Sequence, residues 1–250
     1  MIDKISIVMI AKNADQSLQS SLNSLKEFDE VILYLNDSSD NTKKIAQKYK
    51  NVKIIEGEFL GFGPTKNKAA SFAKNEWIFS LDSDEVISKE MFKNIEKLKL
   101  DNLAVYEIKR SNYYKSKKIE HCGWSEEKII RIYNKTVTAF NNNMVHEKIM
   151  IKDLNIITID GELKHYPYNS ISQFIQKADY YSEIFAKQNI RKKSSTPTKA
   201  VLNATFSFFK TYILKKGFLD GYVGLLISVS HAVTNFYKYM KLYELNKELK

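Results

Sequence analysis

Leu81-Asp82-Ser83-Asp84-Glu85 sets three carboxylates within four residues. Carboxylates so close repel one another, and a divalent cation relieves the repulsion. Mg²⁺ and Mn²⁺ take oxygen ligands and are held by one or two carboxylates together with substrate phosphates. On an extended backbone Asp82 and Asp84 share a face. Alone, the Asp-x-Asp spacing describes a solvated acidic turn equally well, so its place in the chain decides.

That place is the end of a strand. Residues 5–10, Ile-Ser-Ile-Val-Met-Ile, form a continuous apolar run, as a buried parallel strand does. Residues 30–35, 52–55 and 77–81 read as three more strands. Between them lie helical segments marked by Leu18, Leu22 and Leu25, by Ile45, Ala46 and Tyr49, and by Ala69, Ala70 and Ala73. Pro64 suits the first position of the third helix. The alternation predicts a doubly wound parallel sheet with ligands beyond the carboxyl ends of its strands. The loops to watch are therefore 11–15, 36–41 and 82–85. Further on, Met91, Ile95 and Leu98 suggest a helix, and residues 103–110 and 129–133 extend the sheet around a polar, aromatic loop at 111–128. Residues 170–190 read as a helix, residues 192–197 as a linker, and no internal repeat is visible.

With these motifs in order, the chain resembles an inverting glycosyltransferase of family 2. Five features carry the resemblance over residues 4–168: the first strand with Lys12-Asn13; Asn36-Asp37-Ser38-Ser39-Asp40-Asn41-Thr42; Lys66-Asn67; Trp77 through Asp84; and a later acid, Glu147. A second series is similar to bacterial lipopolysaccharide-core β-glucosyltransferases: His121-Cys122-Gly123-Trp124, Arg131-Ile132-Tyr133, Val145-His146-Glu147, Leu163-Lys164-His165-Tyr166 and Lys216 through Gly221. The sequence departs from the family pattern twice. Asn36 stands where an Asp is usual, and His146-Glu147 where Glu-Asp is usual.

The resemblance implies a GT-A fold, a Rossmann-like, mostly parallel doubly wound α/β sheet with a helical, basic C-terminal extension. It implies a catalytic domain over residues 1–168 and a helical acceptor- or membrane-associated region over 169–250. It assigns Asp84, with Asp82 and His165, to Mg²⁺ or Mn²⁺. Lys12, Asp37, Lys66, Asp82 and Arg131 go to a nucleotide-sugar donor, with a UDP-sugar expected. Glu147 is the general base, taking the acceptor hydroxyl's proton as the anomeric carbon is attacked, and His146 positions it or the acceptor. Trp124 is a candidate sugar-stacking ring. Cys122 receives no role.

Lys and Arg number 39 against 29 Asp and Glu, a formal net charge of +10. Residues 186–250 hold twelve of the bases and three of the acids, or +9, leaving +1 for the rest. A basic segment interleaved with Phe206, Phe208, Phe209, Tyr212, Phe218 and Tyr222 suggests helices at an anionic membrane surface; a solvated basic face over an ordinary core is the plainer reading. The stretch from Asp220 to Lys238 contains Ser228, Ser230, His231, Thr234 and Asn235, which argues against a crossing. The expected location is cytoplasmic, peripheral on the inner face of a bacterial cytoplasmic membrane, with a lipid-linked saccharide acceptor. One cysteine excludes a disulfide framework. No nucleic-acid-binding motif is present, so no nucleic-acid partner is expected. Transfer to a capsule or polyprenyl-linked glycan is the nearest alternative. A basic nucleic-acid- or membrane-binding protein is the non-enzymatic one. Donor sugar, linkage and oligomeric state stay open.

Overall fold

The first strand, β1 (Ile5–Ala11), is buried at six of its seven residues, as a strand covered on both faces must be. The computed structural model describes residues 2–144 and 146–248. Val145, quoted above beside His146, lies outside them, as do Met1, Leu249 and Lys250. After β1 come α1 (Leu18–Asn23), β2 (Val31–Leu35), α2 (Thr42–Ala46), β3 (Val52–Glu56), α3 (Phe62–Ser71) and β4 (Trp77–Asp82). β1 pairs in parallel with β2 and with β4, and β2 pairs in parallel with β3. The strand order β3-β2-β1-β4 grows one way from β1, then jumps back to its other side. This makes a topological switch point between β1 and β4, where open α/β sheets bind their ligands.

Alternation along β1 divides the core into two layers. Ile5, Ile7 and Met9 pack with Leu18, Leu22 and Leu25, all buried. Val8 faces the other way, toward Tyr34, Ala69, Ala70 and Ala73. A side chain such as Leu22 contributes about 2–3 kcal/mol by burial. The small alanines let α3 lie close on the sheet. The helix begins at Phe62, so Pro64 occupies the first turn rather than the first position, where its missing N–H costs no helical bond.

Beyond β4 the sheet turns antiparallel. β5 (Glu85–Ile87) and α4 (Lys89–Glu96) follow, then β6 (Ala104–Tyr114), β7 (Lys117–Lys118), β8 (Glu127–Asn134) and β9 (Asn155–Tyr168). The full order is β3-β2-β1-β4-β8-β6-β9-β5, with β7 on β6. β8 runs antiparallel to both β4 and β6, and β5 runs antiparallel to β9. The parallel half is the one the sequence alternation predicts. The expected loop at 111–128 instead contains the end of β6, β7 and the start of β8. The fourteen-residue β9 escapes sequence reading because Gly161 and Pro167 interrupt it and its first four residues are exposed.

The chain forms two compact units. One comprises the residues up to Ser111 with Glu126–Tyr166; the other comprises Asn112–Ser125 with the residues from Pro167 onward. The second holds α5 (Ile171–Asn189), α6 (Pro197–Phe209), a π-helical turn (Lys210–Leu214), a 3-10 turn (Gly217–Asp220) and α7 (Gly221–Glu248). Thr196 caps α6 by accepting from the Lys199 N–H, and Pro197 opens the helix, so the expected linker ends in a helix start signal. Within this unit two of the series singled out above meet. The Cys122 N–H donates to the Lys215 carbonyl at 3.0 Å. The His121 N–H donates to Asp220 Oδ2 at 2.9 Å, and His121 Nδ1 lies 3.1 Å from Asp220 Oδ1. Trp124 joins an aromatic stack, 5.5 Å from Tyr168, whose ring is 3.9 Å from Phe174. Trp124, half-buried, packs against this unit's apolar cluster and also lines a small cleft with Lys177 and His231.

Among the described residues one helical stretch, Gly217–Glu248, is long and apolar enough to cross a membrane by length and composition, with 33% of its most apolar window buried inside the fold. The polar residues that argue against a crossing thus do not exclude one by composition. Val223, Gly224, Ile227 and Ser228 are buried within the unit, so one side of α7 is already used by the protein.

Candidate active site

The carboxyl ends of β1, β2 and β4 bring the polar loops together. Asp82 is the last residue of β4, in register with Ile10 of β1. The loops after β1 and β2 are knitted to each other. The Asn13 N–H donates to Ser38 Oγ at 3.1 Å, the Ser39 N–H to Asn13 Oδ1 at 2.9 Å, and the Ala14 N–H to Thr42 Oγ1 at 2.7 Å. Burial opposes ionisation of Asp40, but hydrogen bonds from Thr42 and the Asp15 N–H outweigh it and lower its pKa. Asn13 and Asp37 sit in the left-handed region, at φ 50° and 51°, which Asn and Asp tolerate better than most residues. Lys12 Nζ and Asp37 Oδ2 stand 4.0 Å apart, both exposed.

Between β4, β6, β8 and residues 139–150 lies a cleft of about 490 Å³, lined by Lys66, Asp82, Arg110, Arg131, Phe140 and Glu147 among others. Lys66, buried on α3, places its Nζ 3.1 Å from Asp82 Oδ1 and 2.8 Å from Glu147 Oε1. Arg131 on β8 donates from Nη2 to Asp82 Oδ2 at 2.7 Å and to Glu85 Oε1 at 2.5 Å. Arg110 on β6 donates from Nη1 to Glu85 Oε1 at 3.0 Å and also pairs with Glu127. The fully buried Glu85 accepts the Asp82 N–H on its other oxygen at 3.0 Å. Burial would raise the Asp82 pKa, yet the Arg131 and Lys66 charges hold it well below the ordinary carboxylate range. Burial would likewise lower the Arg131 pKa, and the Asp82 and Glu85 carboxylates raise it instead. Arg131 Nε is buried with no hydrogen-bond partner among the described residues. A buried donor without a partner is costly unless a ligand satisfies it.

Glu147 is held by a loop with two anchors. At the base, Phe140 and Ile149 form an isolated β-bridge. Asn67 donates from Nδ2 to the Phe140 carbonyl at 2.9 Å and accepts the Phe140 N–H on Oδ1 at 3.0 Å. At the other end, the Phe62 and Gly63 N–H groups at the start of α3 donate to the Met144 and Asn143 carbonyls. A Cβ on Gly63 would stand 2.0 Å from the Asn141 carbonyl oxygen, so only glycine admits this approach. The Lys66-Asn67 pair thus divides its work: Lys66 enters the cleft and Asn67 hangs the loop. His146 is exposed, with φ 59°.

Of the expected site residues, the fold gathers Lys66, Asp82, Arg131 and Glu147 into one cleft. Lys12 and Asp37 form a separate exposed pair at the ends of β1 and β2. Asp84 lies past the end of β4, so the strand alternation does not reach it, and it is not among the residues that line the cleft with Asp82. Its Oδ2 is 3.4 Å from His165 Nε2 on β9, and its carbonyl accepts the Tyr166 N–H. The repulsion expected among Asp82, Asp84 and Glu85 is relieved for two of them by Lys66, Arg110 and Arg131. No group of three or more His, Cys, Asp or Glu that could hold a metal forms among the described residues. The Asp84–His165 pair suits an ion that takes its other ligands from water and phosphate oxygens, as Mg²⁺ and Mn²⁺ do. Glu85 and Arg110 gained no role from the sequence. Glu85 stood in view within the acidic run; Arg110 carried no signal beyond its type.

A family model described as glycosyl transferase family 2 matches residues 6–154. An uncharacterized glycosyltransferase of Rickettsia typhi is 30% identical over 257 aligned residues, covering 97% of this chain and 88% of that protein. A lipopolysaccharide core biosynthesis glycosyltransferase of Rhizobium meliloti is 21% identical, covering 96% of this chain and 92% of its own length. Among solved structures, a fragment of Staphylococcus aureus TarS in complex with UDP aligns at 15% identity with a TM-score of 0.47, covering 99% of this chain and 92% of that one.

Proposed function

The chain belongs to glycosyl transferase family 2, and from that membership we propose that it moves a sugar, with inversion, from a nucleotide-diphosphate donor to a saccharide hydroxyl. The observation that carries this reading is the Lys66–Asp82–Arg131–Glu147 cluster beside the switch point of the sheet. Lys66 and Arg131 offer charge-assisted bonds to a diphosphate, and the unpartnered Arg131 Nε adds a donor. Lys12 and Asp37, at the neighbouring strand ends, are the proposed contacts to base and ribose. Glu147 Oε1 takes the proton of the acceptor hydroxyl. The acceptor oxygen forms its bond to the anomeric carbon as the bond to the diphosphate oxygen breaks, and the nucleoside diphosphate leaves with the electron pair. A divalent cation held by Asp84 and His165, with or without Asp82, would supply Lewis-acid charge opposite the leaving group. His146 is proposed to guide the acceptor.

The donor we propose is UDP-glucose and the acceptor a lipid-linked lipopolysaccharide core, at the inner face of a bacterial cytoplasmic membrane. The end-to-end match to a protein named for lipopolysaccharide core biosynthesis supports that acceptor class. The test is nucleotide release from UDP-, GDP-, ADP- and CMP-sugars with a core acceptor extract, with Mn²⁺ or Mg²⁺ and with EDTA. Release from one donor, lost in Asp84→Ala and in EDTA, is the expected outcome. Release that proceeds unchanged in EDTA overturns the cation assignment. No release or donor binding with any sugar nucleotide overturns the reading.

A further inference from the structure

α7 is apolar on two sides. Val223, Gly224, Ile227 and Ser228 are buried, while Tyr222, Leu225, Val229, Val233 and Tyr237 recur every three or four residues on the exposed side. Leu202 and Phe206 of α6, Phe209 at its end and Ile213 in the π-helical turn repeat the pattern. A contiguous exposed apolar surface marks a protein or membrane interaction site. α6 and α7 pack on one another, and the link between them exposes large apolar side chains. In the link, Leu214 is 71% exposed, with Phe218 and Leu219 also exposed. Tyr212 bridges the link, its ring 5.4 Å from Phe208 and 6.3 Å from Phe218. Lys210, Lys215 and Lys216 are exposed in the same stretch. The one acid there, Asp220, is buried and engaged by His121.

We propose that this end of the α6–α7 hairpin is a lipid-docking face. The apolar side chains of residues 209–222 enter the headgroup boundary of an anionic bilayer, and the three lysines meet its phosphates. Charge selects the occupant. Apolar side chains among cations that have no carboxylate partner among the described residues match a negative leaflet, whereas a second copy of this chain would bring like charges together. The inference deepens the membrane location proposed above and does not depend on the transfer chemistry.

The test is sedimentation of the full chain with phosphatidylglycerol–phosphatidylethanolamine vesicles and with phosphatidylcholine vesicles, in low and high salt. Binding to the anionic vesicles, weakened by salt, is expected. Lys210→Gln, Lys215→Gln and Lys216→Gln together reduce it on the order of a hundredfold, at about a kilocalorie per lysine. Leu214→Glu with Phe218→Glu abolishes it, with the circular dichroism spectrum retained. As a second readout, the indole introduced by Phe218→Trp is quenched by lipids labelled near the headgroup. Unchanged sedimentation of the charge or apolar variants, or an unquenched indole, overturns the proposal. So does vesicle-independent self-association lost in Leu214→Glu, or resistance to alkaline extraction as of a spanning helix. No donor is present in these measurements, so their failure leaves the transferase reading untouched, and the reverse holds.

Discussion

The Lys66 ammonium lies 2.8 Å from the Glu147 carboxylate although 80 residues separate them in the chain. The same ammonium holds Asp82 at 3.1 Å. On the proposed reading, an incoming diphosphate would offer Lys66 another anion and free Glu147 Oε1 for a hydroxyl. The two residues should therefore fail differently. Glu147→Gln should lower kcat about 10²- to 10⁴-fold with donor affinity held. Lys66→Met should raise the donor KM about ten- to a hundredfold, the worth of one charge-assisted bond. Steady-state kinetics with varied donor separates them. A KM effect alone in Glu147→Gln would remove it from the role of base.

Arg131 is the structural keystone of the cluster as well as a donor. Arg131→Met leaves Glu85 fully buried with Arg110 as its remaining cation. Breaking a buried pair from one side costs about 3–5 kcal/mol. Urea unfolding should show a loss of that size. A loss below about 1 kcal/mol would mean that Arg110 and Lys66 suffice to hold both carboxylates.

The first strands were legible because β1, β2 and β4 are mostly apolar, buried runs, and β1 to β4 are separated by helical segments and polar loops. That pattern also pointed to Asp82, while Lys66 came from the resemblance alone. What remained hidden depends on pairing across long distances. Nothing local to Arg110 reveals Glu85, and nothing local to Trp124 reveals that Tyr168 and Phe174 will cover its ring. The first half of α7 carries apolar residues on both its packed and its exposed sides, so no period in that sequence separates the two. Asp84 illustrates the opposite failure: the alternation rule assumed a strand that in fact ends two residues earlier.

His231 gives the second unit a pH dependence. Burial, then the Lys215 and Lys238 charges, push its pKa down from 6.5 to about 4, with Thr211 Oγ1 3.2 Å from Nδ1. Between these values the unfolded chain takes up a proton that the folded chain refuses. Stability is therefore whole above about pH 6.5 and declines as pH falls toward about 4, by on the order of 2–3 kcal/mol. His231→Gln should flatten that interval in denaturant melts. A wild-type curve already flat between those pH values would contradict the assignment.

Gly63 tests how finely the loop bearing Glu147 must be held. Gly63→Ala forces a methyl group against the Asn141 carbonyl, so loop or helix must shift. A displacement near 1 Å costs about a hundredfold in rate. The expected result is a fall in kcat with the overall fold kept by circular dichroism. Wild-type turnover in Gly63→Ala would mean that the loop relaxes freely.

The paired bonds between Asn67 and Phe140 have a mechanical consequence. A side-chain amide has the same donor and acceptor as a peptide group, so Asn67 serves as a single rung of sheet standing on a helix. The loop with Glu147 is thereby suspended from α3, the element that also carries Lys66. Carboxylate and ammonium ride on one cantilever, and a ligand that tugged on Lys66 would pull at the root of the arm that holds Glu147.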